Sequence, residues 1–473
     1  MNDNVIHRDL LSIDFVGVSG EFMSVATNQY REDYGDDVFV IKDGHEYIVY
    51  SPLRQVVFSA NASAVREIKK IITVPKDDFS DKFSASIKAT GILEPIDPEV
   101  ASSLFLKRNS PLTRISLALT LACNLECIYC YASCGDSDVM MSEDTIYAAI
   151  ETIAENSHKK GFDELRLGFH GTGEVTLVWS LLEKSISFAE ETADRYNLTP
   201  AFSLLTNAAA ITPEIADYIL EHDIHLSISM DGYKEIQDIQ RPKRDKKSSF
   251  ESVMKSINNL QERGVKFAIR ATCTQYNVNH LSEIVEFFAS DVFRGARGNG
   301  GKIHIEPVEL CGRAVDTGVQ GIDADVFIEN YKKAVLVGDA NGIRLNCSGD
   351  LKGGYQEVFC GANGNNFIVF PNGNVSSCSR VSSSDHELAD VFIYGKYNAE
   401  DKTFNIDQRK LESLQRLDVT RNDRCENCYA KWHCAGNCIE RSLSSTGNWE
   451  MMCYVTRELV KWRLHRLLEY GKA

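Results

Sequence analysis

The chain of 473 residues lacks several features that would mark a special class of protein. No apolar run approaches the length of a membrane-spanning helix, about 20 residues. The opening stretch from Met1 to Arg8 lacks the apolar core of a secretion signal. Positive charge is scarce, since 51 Lys and Arg stand against 67 Asp and Glu and the net charge is −16. We therefore expect a cytoplasmic protein with no membrane or nucleic acid partner, because phosphate binding needs basic patches.

Cysteine, in contrast, is abundant and unevenly placed. Of the 14 cysteines, three lie within residues 123–130 and seven within residues 360–453. Thiols stay reduced in the cytoplasm, so clustered cysteines indicate metal binding or catalysis rather than disulfides. The length predicts two or three domains, and 43% hydrophobic with 25% charged residues is an ordinary globular composition.

The first cysteine group directly follows a strand-like run, Arg114–Thr120, and reads Cys123-Asn-Leu-Glu-Cys127-Ile-Tyr-Cys130. Four thiolates complete the ligation of a [4Fe–4S] cluster, and three leave one iron open to another ligand. A structural zinc loop is the alternative, but zinc ligands come as short CxxC pairs and three thiols do not close a tetrahedral site. The spacing therefore favours an iron–sulfur cluster with an open iron.

Residues 112–340 alternate strand-like and helical patterns. Strands are predicted at 114–120, 165–169, 201–206, 225–229, 266–273 and 302–306. Amphipathic helices are predicted at 142–156, 177–195, 213–222, 248–263 and 279–289. This alternation predicts an α/β fold with a parallel sheet. Six units rather than eight predict a partial (β/α)6 barrel, with its functional loops at the carboxyl ends of the strands.

Polar residues follow these strands at that end. The stretch His170-Gly-Thr-Gly-Glu-Val-Thr176 has two glycines, which let the backbone approach a ligand, and a carboxylate at Glu174. The stretches Leu205-Thr-Asn207 and Ser227–Gly232 carry short side chains that either bind a ribose or form turns. Arg270 faces a predicted barrel interior and needs an anion there. Glu306 at the sixth strand is a weak candidate for a catalytic group, and a structural role is as plausible.

The CxxxCxxC stretch, with the aromatic Tyr129 before its last cysteine, resembles the fingerprint of the radical S-adenosylmethionine (SAM) enzymes. The resemblance implies that Cys123, Cys127 and Cys130 hold a [4Fe–4S] cluster. It implies reductive cleavage of SAM to a 5′-deoxyadenosyl radical, which abstracts a hydrogen atom from the substrate, and an external low-potential electron donor such as flavodoxin or ferredoxin. The residues that it suggests for SAM are Tyr129, Gly171, Gly173, Glu174, Thr206, Asn207, Ser229, Arg241 and Arg270. Arg241 opens a basic run to Lys247 that otherwise is typical of a solvated face.

The C-terminal cysteines read Cys360-x12-Gly373-x4-Cys378, then Cys425-x2-Cys428-x5-Cys434-x3-Cys438, then Cys453. This order resembles the SPASM extension of radical SAM enzymes, which implies two further [4Fe–4S] clusters. The nearer cluster would be held by Cys360, Cys378 and Cys438. The farther cluster would be held by Cys425, Cys428, Cys434 and Cys453. Cys347 is a candidate fourth ligand of the nearer cluster; without it, that iron could bind a substrate thiolate. Zinc is the competitor for this array.

We therefore predict a domain at 1–108, a radical SAM partial barrel at 112–340, a SPASM domain at 345–456 and a C-terminal helix at 457–473. In the first domain, strands are predicted at 37–42, 46–50 and 55–59 and helices at 64–72 and 82–90. This small α+β unit is similar to the winged-helix leader-recognition element of peptide maturases, and a plain cap on the barrel is the alternative. Such a module would bind the leader of a precursor peptide as an added strand.

The enzymes of this resemblance mostly modify peptides or proteins. We predict oxidative cross-linking of a ribosomally made precursor peptide, through a thioether or a carbon–carbon bond. Sulfatase-type enzymes carry an aspartate where this chain has Ser379, followed by Arg380, so formylglycine formation is not expected. The alternatives are a peptide epimerase, a radical SAM enzyme acting on a small metabolite, and a zinc-stabilised binding protein without catalysis.

Overall fold

In this computed structural model the residues described are 22–24, 38–73, 82–92, 94–96, 100, 112–293, 301–350, 355–445, 447 and 449–470. The strands are β1 (Phe22–Ser24), β2 (Phe39–Asp43), β3 (Glu46–Ser51), β4 (Val56–Ala60), β5 (Arg114–Leu117), β6 (Glu164–Phe169), β7 (Thr199–Thr206), β8 (His225–Ser229), β9 (Phe267–Cys273), β10 (Lys302–Pro307), β11 (Arg344–Asn346), β12 (Phe367–Val369), β13 (Asn374–Ser376), β14 (Ile393–Asn398) and β15 (Thr403–Ile406).

The helices in the same residues follow the chain from the N-terminal unit to the last long helix. They are α1 (Ala62–Thr73), α2 (Lys82–Ala89), α3 (Glu143–Lys159), α4 (Trp179–Tyr196), α5 (Pro213–Glu221), α6 (Lys234–Gln240), α7 (Ser249–Glu262), α8 (Leu281–Phe287), α9 (Arg313–Asp316), α10 (Ala324–Ala340), α11 (Ala389–Phe392), α12 (Gln408–Leu414), α13 (Lys431–Cys434), α14 (Ile439–Leu443) and α15 (Trp449–Tyr470). No helix among the described residues is long and apolar enough to cross a membrane.

The central sheet has eleven strands in the order β11-β10-β9-β8-β7-β6-β5-β12-β13-β14-β15. Strands β5 to β10 are the six predicted barrel strands, and each pairs in parallel with the next. The predicted α/β partial barrel is therefore confirmed. Strands β11 and β12 extend it in parallel at its two edges, and β13 to β15 continue as an antiparallel ribbon. The sheet thus runs across the predicted boundary near residue 345, and the domain limits stay a prediction.

Alternation along the strands divides the core from the barrel interior. In β5, Ile115 and Leu117 are buried in the main hydrophobic core, whereas Arg114 and Ser116 face a cavity inside the barrel. Side chains alternate across a strand, so one face packs on the helices while the other is free for polar groups. Several helices begin at a capping side chain; Ser142, for example, accepts a hydrogen bond from the backbone of Thr145.

The N-terminal sheet, in the order β1-β2-β3-β4, is packed on both faces. One face covers α1 and α2 with residues that include Val40, Val49 and Phe58. The other face packs against α15 through a cluster made of Phe39, Ile41, Ile48, Tyr50, Val57, Tyr429, Ala430, Val460, Leu464 and Leu468. The N-terminal unit therefore rests on the C-terminal part of the chain and is not an independent appendage.

Candidate active site

The first cysteine loop is held from one side by the Gly-Thr-Gly-Glu stretch after β6. A Cβ atom on Gly173 would lie 2.4 Å from the carbonyl oxygen of Thr120 and 2.6 Å from that of Ala122, so only glycine fits there. The backbone N–H of Glu174 donates to Ala122 (2.8 Å), and the Tyr131 hydroxyl donates to the carbonyl of Gly171. The glycines of this motif thus serve close packing between two loops.

Glu174 is almost fully buried and uses its carboxylate mainly to organise the loops. Oε1 accepts from the backbone N–H and the hydroxyl of Thr176 (3.0 and 2.8 Å) and from the Thr206 hydroxyl (2.6 Å). Oε2 accepts from the backbone N–H of Asn207 (2.8 Å). A carboxylate has about four acceptor positions, so Oε2 keeps capacity for a cationic ligand such as an amine.

Arg241 and Tyr129 belong to one buried network around Asp231. Arg241 donates to both oxygens of Asp231 (3.0 and 3.1 Å), and the Tyr129 hydroxyl donates to the same carboxylate. The Arg241 guanidinium lies 5.3 Å from the centre of the Tyr129 ring, and its Nη1 lies 4.0 Å from Sγ of Cys127. These two residues therefore fix the cysteine loop and place a positive charge beside a thiol.

The basic run that begins at Arg241 is more than a solvated face, which corrects that expectation. The backbone N–H of Glu126 donates to the carbonyl of Pro242, and that of Arg244 donates to the carbonyl of Asn124. Its cations are paired locally, as in the ion pair of Lys246 with Glu126. The run therefore holds the cysteine loop in place through backbone hydrogen bonds.

Sequence reasoning missed the segment after β10 that holds the loop from the other side. A Cβ on Gly312 would lie 2.5 Å from the carbonyl oxygens of Cys130 and Tyr131. The Arg313 guanidinium donates to the carbonyls of Cys127 (3.1 Å) and Cys134 (2.7 Å). An arginine nearly two hundred residues away in the sequence gives no local signal of this role. The cysteine loop is therefore fixed by three separate segments of the barrel.

A cavity of about 880 Å³ opens at the carboxyl ends of the barrel strands. All nine residues suggested for SAM line it, namely Tyr129, Gly171, Gly173, Glu174, Thr206, Asn207, Ser229, Arg241 and Arg270. So do the weak catalytic candidate Glu306 and the six cysteines predicted to hold the first and the nearer clusters, namely Cys123, Cys127, Cys130, Cys360, Cys378 and Cys438. Residues from both cysteine-rich regions therefore meet around one space.

Ser229, Arg270 and His304 form a row across β8, β9 and β10, where they are paired in register. All three side chains line the cavity. The side chain of Arg270 forms no hydrogen bond or ion pair with any other residue that the structure describes. A guanidinium in such a cavity lacks an anion, and it presents the two-pronged donor that a carboxylate fits.

His170 and Glu306 both line the cavity, and at pH 7 the first is neutral and the second is ionised. Burial and the charges of Arg270 and Arg114 lower the pKa of His170 to about 4, so its ring is neutral at pH 7. Burial acts to raise the pKa of Glu306, but the hydrogen bonds from His304 and Ser348 outweigh it and bring the pKa to about 2. Glu306 lies 2.7 Å from the His304 ring. Glu306 is therefore an ionised partner that orients His304, and its catalytic role stays a prediction.

A buried ionic cluster separates the two cysteine-rich regions of the wall. Glu309 accepts two hydrogen bonds from Arg441 (2.9 and 3.0 Å) and pairs with Arg380 (2.7 Å). Arg380 also pairs with Glu440 and lies 2.5 Å from Sγ of Cys311. Arg380, which follows Ser379, thus has its charge compensated by two carboxylates, and no free base stands at that position.

The other four cysteines of the C-terminal array lie together in a second pocket. Cys425, Cys428, Cys434 and Cys453 line a separate small pocket of about 50 Å³. Cys347 lines neither space and is buried in the main core beside Cys273, Glu306 and Asp350. The structure therefore separates Cys347 from the three cavity cysteines, although Cys311 and Cys134 do line the cavity.

The donor chemistry around the thiols fits iron–sulfur clusters. Burial raises the pKa of Cys123 to about 11 and that of Cys127 to about 12, whereas the hydrogen bond with Cys134 lowers the pKa of Cys130. A bound cation would stabilise all three as thiolates. Asn207 Nδ2 lies 3.8 Å from Sγ of Cys123, in a position to donate to a ligating sulfur. In the described part of the chain, no three His, Cys, Asp or Glu side chains converge closely enough for a single metal ion.

Comparison with known proteins gives the class to which this site belongs. Residues 117–288 match the family model of the radical SAM superfamily. The cysteine-type anaerobic sulfatase-maturating enzyme of Clostridium novyi is 25% identical over 336 residues, which are 67% of this chain and 84% of that enzyme. The chain therefore contains a radical SAM domain and is an enzyme, and such a domain implies a [4Fe–4S] cluster and SAM.

More particularly, the chain resembles the radical SAM maturases with a SPASM domain. The radical SAM cyclopropyl synthase TigE of Paramaledivibacter caminithermalis is 22% identical over 378 residues, 76% of this chain and 74% of that enzyme. A solved structure of anSMEcpe with bound AdoMet aligns with a TM-score of 0.57 at 18% identity, over 76% of this chain and 99% of that one. The two chains share their fold.

Proposed function

We propose that this chain is a cytoplasmic peptide maturase that oxidatively cross-links a ribosomally made precursor peptide. The observation that carries the proposal is the single cavity lined by Cys123, Cys127 and Cys130 and also by Cys360, Cys378 and Cys438. A peptide residue in this cavity would lie between the group that starts the reaction and a second metal group. That arrangement suits a net oxidation, which needs both a hydrogen acceptor and an electron acceptor.

In this proposal the first three cysteines hold the [4Fe–4S] cluster that, with SAM, supplies the 5′-deoxyadenosyl radical. Arg270 would bind the carboxylate of SAM, because its side chain lines the cavity in register with Ser229 and has no anionic partner among the described residues. Oε2 of Glu174 would accept from the amine. Ser229, in register with Arg270, would donate to or accept from the same ligand.

The other two cysteine groups would hold two more [4Fe–4S] clusters, which brings the total to three. Two observations support this ligation: Cys425, Cys428, Cys434 and Cys453 share one pocket, and the remaining three share the cavity. Cys347 is set apart in the core, which supports an open coordination position on the nearer cluster. An open position of this kind would accept a substrate thiolate, which favours a thioether over a carbon–carbon bond.

A peptide substrate is supported by the size of the cavity, about 880 Å³, which holds several side chains. The relatives include an enzyme that matures sulfatases, which are proteins. Formylglycine formation is disfavoured because Ser379 stands at the position of the expected base and Arg380 is already paired. The leader would add to an edge of the N-terminal sheet, whose outer strands are β1 and β4. A low-potential donor such as flavodoxin or ferredoxin would supply the electron.

The decisive experiment incubates the anaerobic enzyme, SAM and dithionite with short peptides encoded beside this gene. We expect a product lighter by two hydrogen atoms, located by tandem mass spectrometry, with 5′-deoxyadenosine formed alongside. An unchanged mass with deuterium gained from solvent would make the enzyme an epimerase. Turnover of a small metabolite with no peptide change would overturn the peptide proposal.

The role of residues 1–108 needs a gentler test than deletion. Removing them would expose Val460, Leu464 and Leu468, which pack under the N-terminal sheet, and would destabilise the C-terminal region. Comparing the core peptide with and without its leader on the intact enzyme avoids this problem. We expect the leader to lower KM and the core peptide alone to be a poor substrate.

A further inference from the structure

A histidine and a glutamate stand side by side on the cavity wall, and neither is among the residues proposed to bind SAM. His304 and Glu306 are alternate residues of β10, so their side chains leave the same face of the strand. Both side chains line the cavity and are half-buried. Nε2 of His304 lies 2.7 Å from Oε1 of Glu306. The ring is therefore held in one orientation at a surface that a substrate can reach.

The carboxylate decides which ring nitrogen of His304 carries the proton. Glu306 is ionised at pH 7, because its pKa is about 2, and an ionised carboxylate only accepts hydrogen bonds. Its Oε1 also accepts from the backbone N–H of Ser348 (2.6 Å), which fixes the carboxylate itself. In the neutral ring Nε2 must then be the donor, and Nδ1 carries the lone pair.

Nδ1 of His304 is open to a ligand. It forms no hydrogen bond with any residue that the structure describes. A ring that is oriented through one nitrogen and open at the other has the geometry of a general base. The arrangement leaves Nδ1 as the atom that would receive a proton from a molecule in the cavity.

The charged groups around the ring come from three parts of the chain. Arg270 of β9 is paired in register with His304, and Asn346, paired with it on β11, is uncharged. Arg441 of the C-terminal segment acts on Glu306 through its charge. The positive charge of Arg270 disfavours a second cation beside it, and the ionised Glu306 offsets that effect.

His304 also lies close in the fold to the wall of the nearer cysteine group. Just after the end of β10, Glu309 pairs with Arg441 (2.9 Å), which follows Cys438 by one turn of chain. His304 therefore stands between Arg270, on the proposed SAM side of the cavity, and the segment of Cys438. A substrate placed between the two cysteine groups would pass this ring.

The proposed thioether needs a proton acceptor, because the thiolate of a cysteine is the nucleophile and its thiol is not. Two carboxylates of the wall are already occupied: Glu174 accepts four hydrogen bonds, and Glu309 pairs with two arginines. His170 has a pKa of about 4 and is too weak a base to keep a proton at pH 7. Of the two histidines that line the cavity, His304 is the one oriented by a carboxylate.

We propose that His304 is a catalytic residue that takes the proton from the thiol of a substrate cysteine, with Glu306 as its positioning residue. The inference rests on the proposed function, since it takes a cysteine-containing peptide as substrate and a thioether as product. The step moves one proton: the S–H bond breaks with its electron pair left on sulfur, and an N–H bond forms at Nδ1. The hydrogen atom taken from carbon goes to the 5′-deoxyadenosyl radical. The electron released as the carbon–sulfur bond forms goes to an iron–sulfur cluster.

The test measures thioether formation at two pH values in His304→Gln. The probe is the peptide encoded beside the gene that the wild-type enzyme cross-links, with SAM and dithionite, and mass spectrometry quantifies the product. An unassisted thiol with a pKa of about 8.5 is about 3% thiolate at pH 7, so we expect a rate about 30-fold below wild type. At pH 9 most of the thiol ionises in water, and the deficit should shrink to about twofold or less.

Two further variants separate proton transfer from structure. Glu306→Gln keeps the shape of the side chain without its charge and should give a smaller loss at pH 7 with the same recovery at pH 9. Its pH dependence also decides the question if His304→Gln does not fold. His222→Gln is the matched control, because His222 pairs with Glu190 (2.8 Å) and does not line the cavity, and should leave the rate unchanged.

Three results would overturn the inference while the proposed function stands. They are a normal rate in His304→Gln, a loss of equal size at pH 7 and pH 9, and a loss that weaker SAM binding accounts for, measured by isothermal titration. If the wild-type enzyme forms no thioether in the peptide, the proposed function itself is overturned, and the role of His304 with it.

Discussion

The two C-terminal cysteine groups differ in their access to the barrel interior. Cys360, Cys378 and Cys438 line a cavity of about 880 Å³, whereas the four remaining cysteines line a pocket of about 50 Å³. The lining of the small pocket also belongs to the hydrophobic packing, since Cys425 lies in one cluster with Leu53 and Trp432. The difference supports the proposal that the first group meets the substrate, whereas the second lies where the N-terminal unit packs on the rest of the chain.

The largest expected effects separate these two groups directly. Cys438→Ala should abolish formation of modified peptide while the protein stays folded, because its thiol faces the cavity. Cys428→Ala should lower stability more, because it lies beside the packing of the N-terminal sheet on α15. Each variant should lose about four irons. Peptide product, iron content and thermal unfolding measured on both variants check this; equal product loss with equal stability would remove the distinction.

The next expected effect is on the affinity for SAM, whose proposed site lies beside Cys123, Cys127 and Cys130. Arg270→Gln removes a cavity-lining cation whose side chain has no anionic partner among the described residues. A charged hydrogen bond contributes about 1.5 to 3 kcal/mol, so we expect SAM to bind roughly 10- to 100-fold more weakly. Isothermal titration of the anaerobic protein measures it. Arg166→Gln is the matched control, because Arg166 also lines the cavity but pairs with Glu164; an equal loss there would make the effect non-specific.

The ionic cluster between the cysteine groups should matter for stability. Glu309→Gln leaves Arg441 and Arg380 without a shared carboxylate, and breaking a buried pair costs about 3 kcal/mol. Chemical denaturation of the protein with its iron–sulfur clusters bound measures the loss in free energy of unfolding. Glu155→Gln breaks the exposed pair with Lys159 and should cost at most about 1 kcal/mol. Similar losses of stability in the two variants would contradict the burial of the ionic cluster around Glu309.

The smallest expected effect is a pH dependence at His170. Its folded pKa of about 4 lies below the ordinary value of about 6.5. Between these values the unfolded chain binds more protons, so stability falls as pH falls from about 6.5 to 4. At pH 5 this amounts to about 2 kcal/mol. His170→Gln should flatten the stability profile in that range, and an unchanged slope would count against a buried neutral ring.

Much of this molecule was predictable because its signals are local in sequence. Strands β5 to β10 alternate buried and lumen-facing residues, and Cys123, Cys127 and Cys130 lie on one loop. The strands and helices of the N-terminal unit were also predicted close to their observed bounds, except the short β1.

The missed features join segments far apart in sequence. Arg313 holds the carbonyl of Cys127, and Glu309 holds Arg441, but neither residue stands in a recognisable motif. The four acceptor contacts of Glu174 and the packing of the N-terminal sheet on α15 likewise arise only when distant elements meet. Such contacts depend on the folded geometry, and periodicity or spacing does not encode them.

The most direct test of the central claim is 5′-deoxyadenosine formation from SAM and dithionite by two variants of the first cysteine loop. Cys127→Ala removes a proposed cluster ligand, and Cys134→Ala removes a neighbouring thiol that lines the same cavity without being a proposed ligand. We predict that Cys127→Ala forms no 5′-deoxyadenosine while Cys134→Ala retains its formation. Formation of 5′-deoxyadenosine by Cys127→Ala would contradict the assignment of Cys123, Cys127 and Cys130 as the group that begins the reaction.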